Sequence, residues 1–378
     1  MTQTHSFGAV AVELGFCTLE QVKECIEVQV KMRALGIAPK KVGELLLEKG
    51  IITEEQARKI FWVQGQRGGH VEIAGYRVTE RLGEGSMGMV YKATQISMDR
   101  PVALKVLSPR LAANAKFVER FFREARAVAR LNHPNIIQGI DVGVSNGVHY
   151  FAMEYVDGTT VGNLLARGGA FDEKRALRII IQIAQALEHA NQNNLVHRDV
   201  KPDNIMLVSH TGVAKLCDLG VAVMLQPGVA GTSDGVVGTP NYISPEQVLG
   251  EELDIRTDIY ALGASFYHMI TGGAPFDKGE DGLTIMAKQV KEPLVPPNVV
   301  NPLVSESAAF ITTKMMKKPR DERYQTPADL LIDLKFLEDE GALPNFKSPA
   351  PAAPTAPGTR PRGHKRSSVY RLKRRLNM

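Results

Sequence analysis

Apolar residues recur along the chain with two different periods, and the period changes near residue 75. Upstream, they cluster at helical spacing. Gly8 to Leu14 forms a short apolar run that ends at Gly15, and Thr18 then opens a second run. Thirty-five residues on, the pattern repeats: Gly43 to Lys49, then Gly50, then Thr53. Gly15 and Gly50 are expected to close the first helix of each copy. Thr18 with Gln21, and Thr53 with Gln56, have the spacing of capping boxes that open the second. The second helices carry Val22, Cys25, Ile26 and Gln29, then Ala57, Ile60, Phe61 and Gln64, on one side. One copy cannot bury such a face alone, whereas two packed together can. Cys17 and Cys25 therefore read as small core residues.

Four pieces result: a helical repeat module over 1–64, a Gly-rich polar linker over 65–74, an alternating strand and helix region over 75–340, and a segment 341–378 read as disordered. That last segment starts Pro/Ala-rich, as an extended spacer, and ends in a basic cluster. From Pro344 to Met378 there are nine Lys/Arg and no Asp/Glu. The net charge is +5, so residues 1–343 carry −4. A mildly acidic body argues against one built to bind nucleic acid. The basic end is a candidate contact for an anionic membrane, a nucleic acid or an acidic protein. Three cysteines cannot form a disulfide scaffold, and no run approaches a membrane span. With no secretory signal at the N-terminus, the expected setting is cytoplasmic.

The chemistry begins at Leu82-Gly83-Glu84-Gly85-Ser86-Met87-Gly88-Met89-Val90. A dinucleotide-binding turn of this spacing must open into a helix. Here Met89 to Thr94 alternates as a strand, a turn falls near Asp99, and Val102 to Leu107 forms a second strand. A hairpin after a glycine loop suits a flap whose amides cover phosphates. Lys105 is a lone cation on an apolar strand and needs a buried partner. Glu124 is the candidate, on an amphipathic helix beside Phe121, Val128 and Leu131.

His197-Arg198-Asp199-Val200-Lys201-Pro202-Asp203-Asn204 is more specific. It supplies a base for a hydroxyl, a cation for a moving phosphate and an oxygen ligand for a metal. Asp218 follows fourteen residues after Asn204 with a second carboxylate.

With these motifs in order, residues 76–338 resemble a bacterial eukaryotic-like (Hanks-type) serine/threonine protein kinase domain. The resemblance implies an α+β, bilobal kinase fold: a β-rich N-lobe over 75–156 and a helical C-lobe over 157–340. It implies Asp199 as base and Lys201 at the γ-phosphate, with Asn204 and Asp218 as ligands of Mg²⁺, or of Mn²⁺ as the alternative. Lys105 would hold the α/β-phosphates of ATP, with Glu124 as its helix partner. The hinge would be Met153-Glu154-Tyr155-Val156, with the backbones of Glu154 and Val156 at adenine. Leu82, Val90, Ala103, Met153 and Met206 would form the adenine slot. Glu246 would pair with Arg323, and Asp258 would anchor the catalytic loop. Arg198 would meet a phosphate on Ser233, or secondarily Thr232. Thr239 and Lys201 mark serine/threonine specificity. Ser/Thr-bearing proteins are the expected substrates, and self-association for autophosphorylation is an expected partner mode. A scaffold that only binds nucleotide is the alternative, and the presence of Lys105, Asp199 and Asp218 favours catalysis. Gly139 falls where the family packs an apolar side chain behind the Glu124 helix, which is expected to weaken that packing. Cys217, just before Asp218, is expected to be an inert buried thiol.

Residues 1–64 resemble the N-terminal helical domain of type II secretion and pilus ATPases. Some members of that family bind a cyclic dinucleotide through Arg-Leu-Gly repeat starts. Here the starts are Ser6-Phe7-Gly8 and Lys41-Val42-Gly43, and lysine does not replace an arginine fork. A packing or docking role is favoured.

Overall fold

A computed structural model describes residues 6–66, 72–85, 87–145, 147–218, 240–277 and 279–343; the side chains of 65, 66, 120 and 124 lie outside that description. The chain forms two compact units. The first holds residues 1–132 and 137–156, the second 133–136 and 157–378.

The first unit begins with α1 (Phe7–Glu13), α2 (Leu19–Ala34), α3 (Val42–Glu48) and α4 (Glu54–Gln66). Their ends form for local reasons. The Thr18 hydroxyl accepts from the Gln21 amide, and Gln21 Oε1 accepts from the Thr18 amide. Thr53 and Gln56 repeat the arrangement. Gly15 and Gly50 turn the chain at φ +70 and +66, where a side chain would be strained. Val10, Cys25, Leu46, Ala57 and Ile60 form the shared core of the repeats. Burial pushes the Cys17 and Cys25 thiols up, so both stay protonated. Ile26 departs from expectation: it points to water, 46% exposed. Its copy-two counterpart, Phe61, is 7% exposed.

The sheet of this unit contains β1 (Glu72–Ile73), β2 (Tyr76–Gly85), β3 (Gly88–Gln95), β4 (Arg100–Leu107), β5 (Gly139–Ser145) and β6 (Val148–Glu154). It is antiparallel, in the order β1-β2-β3-β4-β6-β5. Between β4 and β5 lie α5 (Pro109–Ala112) and α6 (Ala115–Val128). The ends of the segment 65–74 belong to regular elements, and residues 67–71 lie outside the described residues. α4 runs through Gln66, and Ile73 is buried on β1.

Alternation gives the sheet two faces. Met89, Tyr91, Leu104, Val106, Tyr150 and Ala152 form a dry core on one, and Phe61 of α4 belongs to that core. The helical module is thus packed into the sheet. Val90, Ala103, Lys105 and Met153 share the opposite face, through the pairs Val90↔Lys105 and Ala103↔Met153.

The second unit carries a small sheet of β7 (Gly158–Thr160), β8 (Ile205–Val208) and β9 (Ala214–Leu216). Its helices are α7 (Val161–Gly168), α8 (Glu173–Gln192), α9 (Pro245–Leu249), α10 (Ile255–Thr271), α11 (Gly282–Lys291), α12 (Pro297–Val300), α13 (Glu306–Met315) and α14 (Pro327–Glu340). α10 is apolar nearly all round and almost wholly buried, as a central helix must be. α8 packs on α10 and α14. Residues 133–136 join this unit although they lie inside the 75–156 segment. Asn135 Nδ2 donates to the Ala214 carbonyl and to Gln182, and its carbonyl accepts from the Leu216 amide.

Candidate active site

In the first unit, the glycine loop is the tip of the β2–β3 hairpin. Gly88 stands at φ +153, and a Cβ there would lie 2.0 Å from the Val106 carbonyl oxygen. Only glycine fits. Gly83 has open space where a Cβ would be, and Gly85 touches nothing nearer than 4.0 Å. Those two therefore leave the backbone approachable. Leu82 sits at an irregularity between the Arg81↔Tyr91 and Gly83↔Val90 pairs and is 43% exposed. Met87, Ala103, Met153 and Val156 are buried, and Val90 and Glu154 are half-buried. Lys105 is 6% exposed. The Glu154 amide donates to the Gln138 carbonyl. Ser86 and the Glu124 side chain lie outside the described residues, although Phe121, Ala125 and Val128 of α6 are buried as expected.

Gly139 corrects an expectation. The space beside it is not a hole. A Cβ there would come within 3.0 Å of Ala129 Cα and 3.2 Å of the Phe151 ring, so a side chain would fit only if the chain just after α6 gave way by a few tenths of an ångström.

In the second unit, Asp199, Lys201 and Asn204 form one constellation. Lys201 Nζ lies 3.1 and 2.9 Å from the two Asp199 oxygens. Asn204 Nδ2 donates to the Asp199 carbonyl and to its Oδ2, both at 2.8 Å. Asp199 is thus oriented by two side chains from its own loop. The loop itself is held by Asp258 on α10. One Asp258 oxygen accepts from the His197 amide at 2.6 Å and the other from the Arg198 amide at 2.7 Å. Burial pushes the Asp258 carboxyl up to about 7, against the pull of those two amides.

Sequence reasoning gave His197 no role, and the structure gives it one. The ring is fully buried, which depresses its basicity and keeps it neutral. Its Nδ1 accepts from the Asp199 amide, so its Nε2 carries the proton and donates to the Cys217 carbonyl at 3.1 Å. One ring therefore ties the Asp199 loop to the residue before Asp218. The signal was the histidine's place at the head of the motif. Cys217, expected to be buried, is half-buried; its Sγ donates to the Asn204 carbonyl. Arg198 and Asp218 both adopt left-handed backbone, φ +68 and +55, conformations that non-glycine residues hold only where surroundings impose them. Met206 lies on β8, half-buried.

Glu246 and Arg323 make a buried bidentate pair at 2.7 and 2.9 Å. Arg323 also donates to the carbonyls of Arg256, Lys317 and Lys318, which uses its whole fork. Burial works to raise the Glu246 carboxyl, but Arg323 and Thr257 hold it below the usual range. Thr232, Ser233, Thr239 and the basic residues after Leu343 lie outside the described residues.

Mg²⁺ needs oxygen ligands and takes one or two from protein, the rest from nucleotide phosphates and water. Asn204 and Asp218 suit that. Among the described residues no cluster of three His, Cys, Asp or Glu could cage a metal alone. No helix among them is long and apolar enough to cross a membrane.

The two repeat starts meet. Ser6, Phe7, Lys41, Val42 and Gly43 line a cavity of about 300 Å³ closed by Phe61, Gln64, Glu72, Ile73, Ser145 and Val148. Lys41 Nζ is paired with Glu72 at 2.9 Å.

Residues 76–333 match the family described as "Protein kinase domain". A probable serine/threonine-protein kinase of Clostridium perfringens is 37% identical over 265 residues, covering 70% of this chain and 38% of that protein. Serine/threonine-protein kinase PrkC of Bacillus subtilis is 38% identical over 268 residues, 71% of this chain and 41% of its own length. The chain spans well under half the length of these curated relatives. The crystal structure of the Mycobacterium tuberculosis PknI kinase domain superposes with a TM-score of 0.56 at 30% identity, over 70% of this chain and 97% of that one. A two-unit architecture with a curled antiparallel sheet, an Asp199 loop anchored by Asp258, and this match over most of the chain place it in the protein kinase family.

Proposed function

We propose that the chain is a serine/threonine protein kinase that transfers the γ-phosphoryl group of ATP to Ser/Thr hydroxyls of proteins, and that it phosphorylates itself. The observation that carries this is the Asp199 carboxylate held by both Lys201 and Asn204. Asp199 accepts the proton of the attacking hydroxyl. That oxygen bonds to the γ-phosphorus as the bond to the leaving ADP oxygen breaks. Lys201, beside Asp199, offsets charge on the moving group. Asn204 and Asp218 would hold Mg²⁺, or Mn²⁺ in its place, which when bound neutralises phosphate charge. Lys105, with Glu124, steadies the α/β-phosphates under the amides of Gly83 to Gly88. Adenine meets Leu82, Val90, Ala103, Met153 and Met206. Because the Glu154 amide is already engaged by Gln138, the Glu154 contact narrows to its carbonyl, with Val156 supplying the amide.

Arg198 supports control by phosphorylation at Ser233 or Thr232. Its Nε is buried and has no hydrogen-bond partner among the described residues, as suits a group awaiting an anion. Residues 1–64 we take as a docking module, on the support of Phe61 in the sheet core. The thiols of Cys17 and Cys25, kept protonated in the helical core, support a cytoplasmic setting.

The test is intact mass after incubation with Mg²⁺ and ATP, with peptide mapping. The wild type is expected to gain phosphates that map to Ser233 or Thr232. Asp199→Asn is expected to slow their appearance by about 10²- to 10⁴-fold, the usual worth of a general base. A wild type that binds ATP and gains no mass would overturn the proposal in favour of a nucleotide-binding scaffold.

A further inference from the structure

The two helical copies meet different fates. In copy two, α4 lays Phe61 into the sheet core, and that face is dry. In copy one, the equivalent face of α2 has nothing on it among the described residues. Leu19, Ile26 and Val30 are 59, 46 and 57% exposed. Their spacing of seven and four residues aligns them along one line of the helix, about 16 Å long at 1.5 Å per residue. Spacings of seven and four residues keep one side of a helix toward a partner, as in a seam that a second helix covers. An isolated exposed leucine means little, but an aligned row on one face marks a contact.

The charges beside the row say which contact. Glu20, Lys23, Glu27 and Lys31 run along one edge of α2, in the order −, +, −, +. All four are exposed, and none makes an ion pair among the described residues, although neighbouring Glu24 is taken by Lys49. We propose that this face of α2 is a self-association surface through which two copies of the chain pair antiparallel about a two-fold axis near Ile26. An antiparallel two-fold brings the same edge of each helix together. Lys23 then faces Glu27 of the other copy, Glu20 faces Lys31, and Ile26 meets its own counterpart. The edge complements itself in that orientation. In a parallel pair this edge would instead meet the opposite edge of the other helix, where Val22 and Gln29 offer no matching alternation of charge. One helix per copy makes a small interface, so the dimer is weak and concentration-dependent.

The test is sedimentation velocity on the full chain over a wide concentration range, with melting curves to certify that each variant folds. The wild type is expected to pass from monomer to dimer. Ile26→Glu should leave only monomer. Lys23→Glu turns two attractions into repulsions and should weaken the dimer about tenfold, and adding Glu27→Lys should recover it. A wild type that stays monomeric throughout, alone or until a different protein is added, would overturn the proposal. So would a dimer indifferent to Ile26→Glu, or a double variant no tighter than the single one.

Discussion

The Asp199 loop of the second unit and the Lys105 face of the first are held by different physics. The loop is irregular and rests on buried polar contacts. Asp258 grips two amides, His197 bridges to Cys217, and Arg323 is fully engaged around Glu246. The Lys105 face rests on a strand ladder whose other side is a dry apolar core. A polar network needs particular residues, because each buried donor must find its acceptor. A ladder needs only a pattern, because backbone groups pair whatever the side chains are. The loop should therefore fail through single side chains, and the sheet through backbone or volume.

Arg323→Ala strikes the network hardest. It strands the Glu246 carboxylate, which should cost about 3–5 kcal/mol in urea unfolding, enough to unfold the second unit near physiological temperature. The same pair sets an acid limit. In the fold, Glu246 holds its charge below its ordinary value of 4.5. The unfolded chain therefore binds the proton first. The stability due to the pair is complete above about pH 4.5 and drains away as pH falls through the lower folded value. Glu246→Gln should flatten that part of the pH–stability curve, and an unchanged acid slope would assign it elsewhere.

For the sheet, Gly88→Ala should cost about 1–3 kcal/mol of stability, as overpacking does. It should also weaken ATP binding, because the hairpin must shift away from Val106. Normal binding in a folded Gly88→Ala protein would mean that the hairpin tip is dispensable. At the small end, Thr53→Ala should cost about 1 kcal/mol and Thr18→Ala about the same, since each removes one equivalent cap. A much larger loss at Thr53 would show that docking of α4 depends on its first turn.

How much could be read in advance follows from the same contrast. The capping boxes are local, so three residues suffice to predict them. The Asp199 loop was legible because the chemistry fixes both residue type and spacing. The apolar side of the second helices was visible too, but not what would cover it: Phe61 found the sheet, while Ile26 faces water. Nor could linear order reveal that residues 133–136 fold with the second unit. That depends on Asn135 reaching Gln182 and Ala214, far along the chain. Gly139 misled because a missing side chain looks like a gap until the closeness of Ala129 is seen.

Phe61 has one more consequence. The match to the kinase family starts at residue 76, yet the core of the sheet includes Phe61 and Ile73 upstream of it. The matched segment and the folded core therefore have different borders. A recombinant fragment cut at residue 76 would lose Phe61 and Ile73 from that core and be prone to clump. One that keeps the helices would carry its own lid.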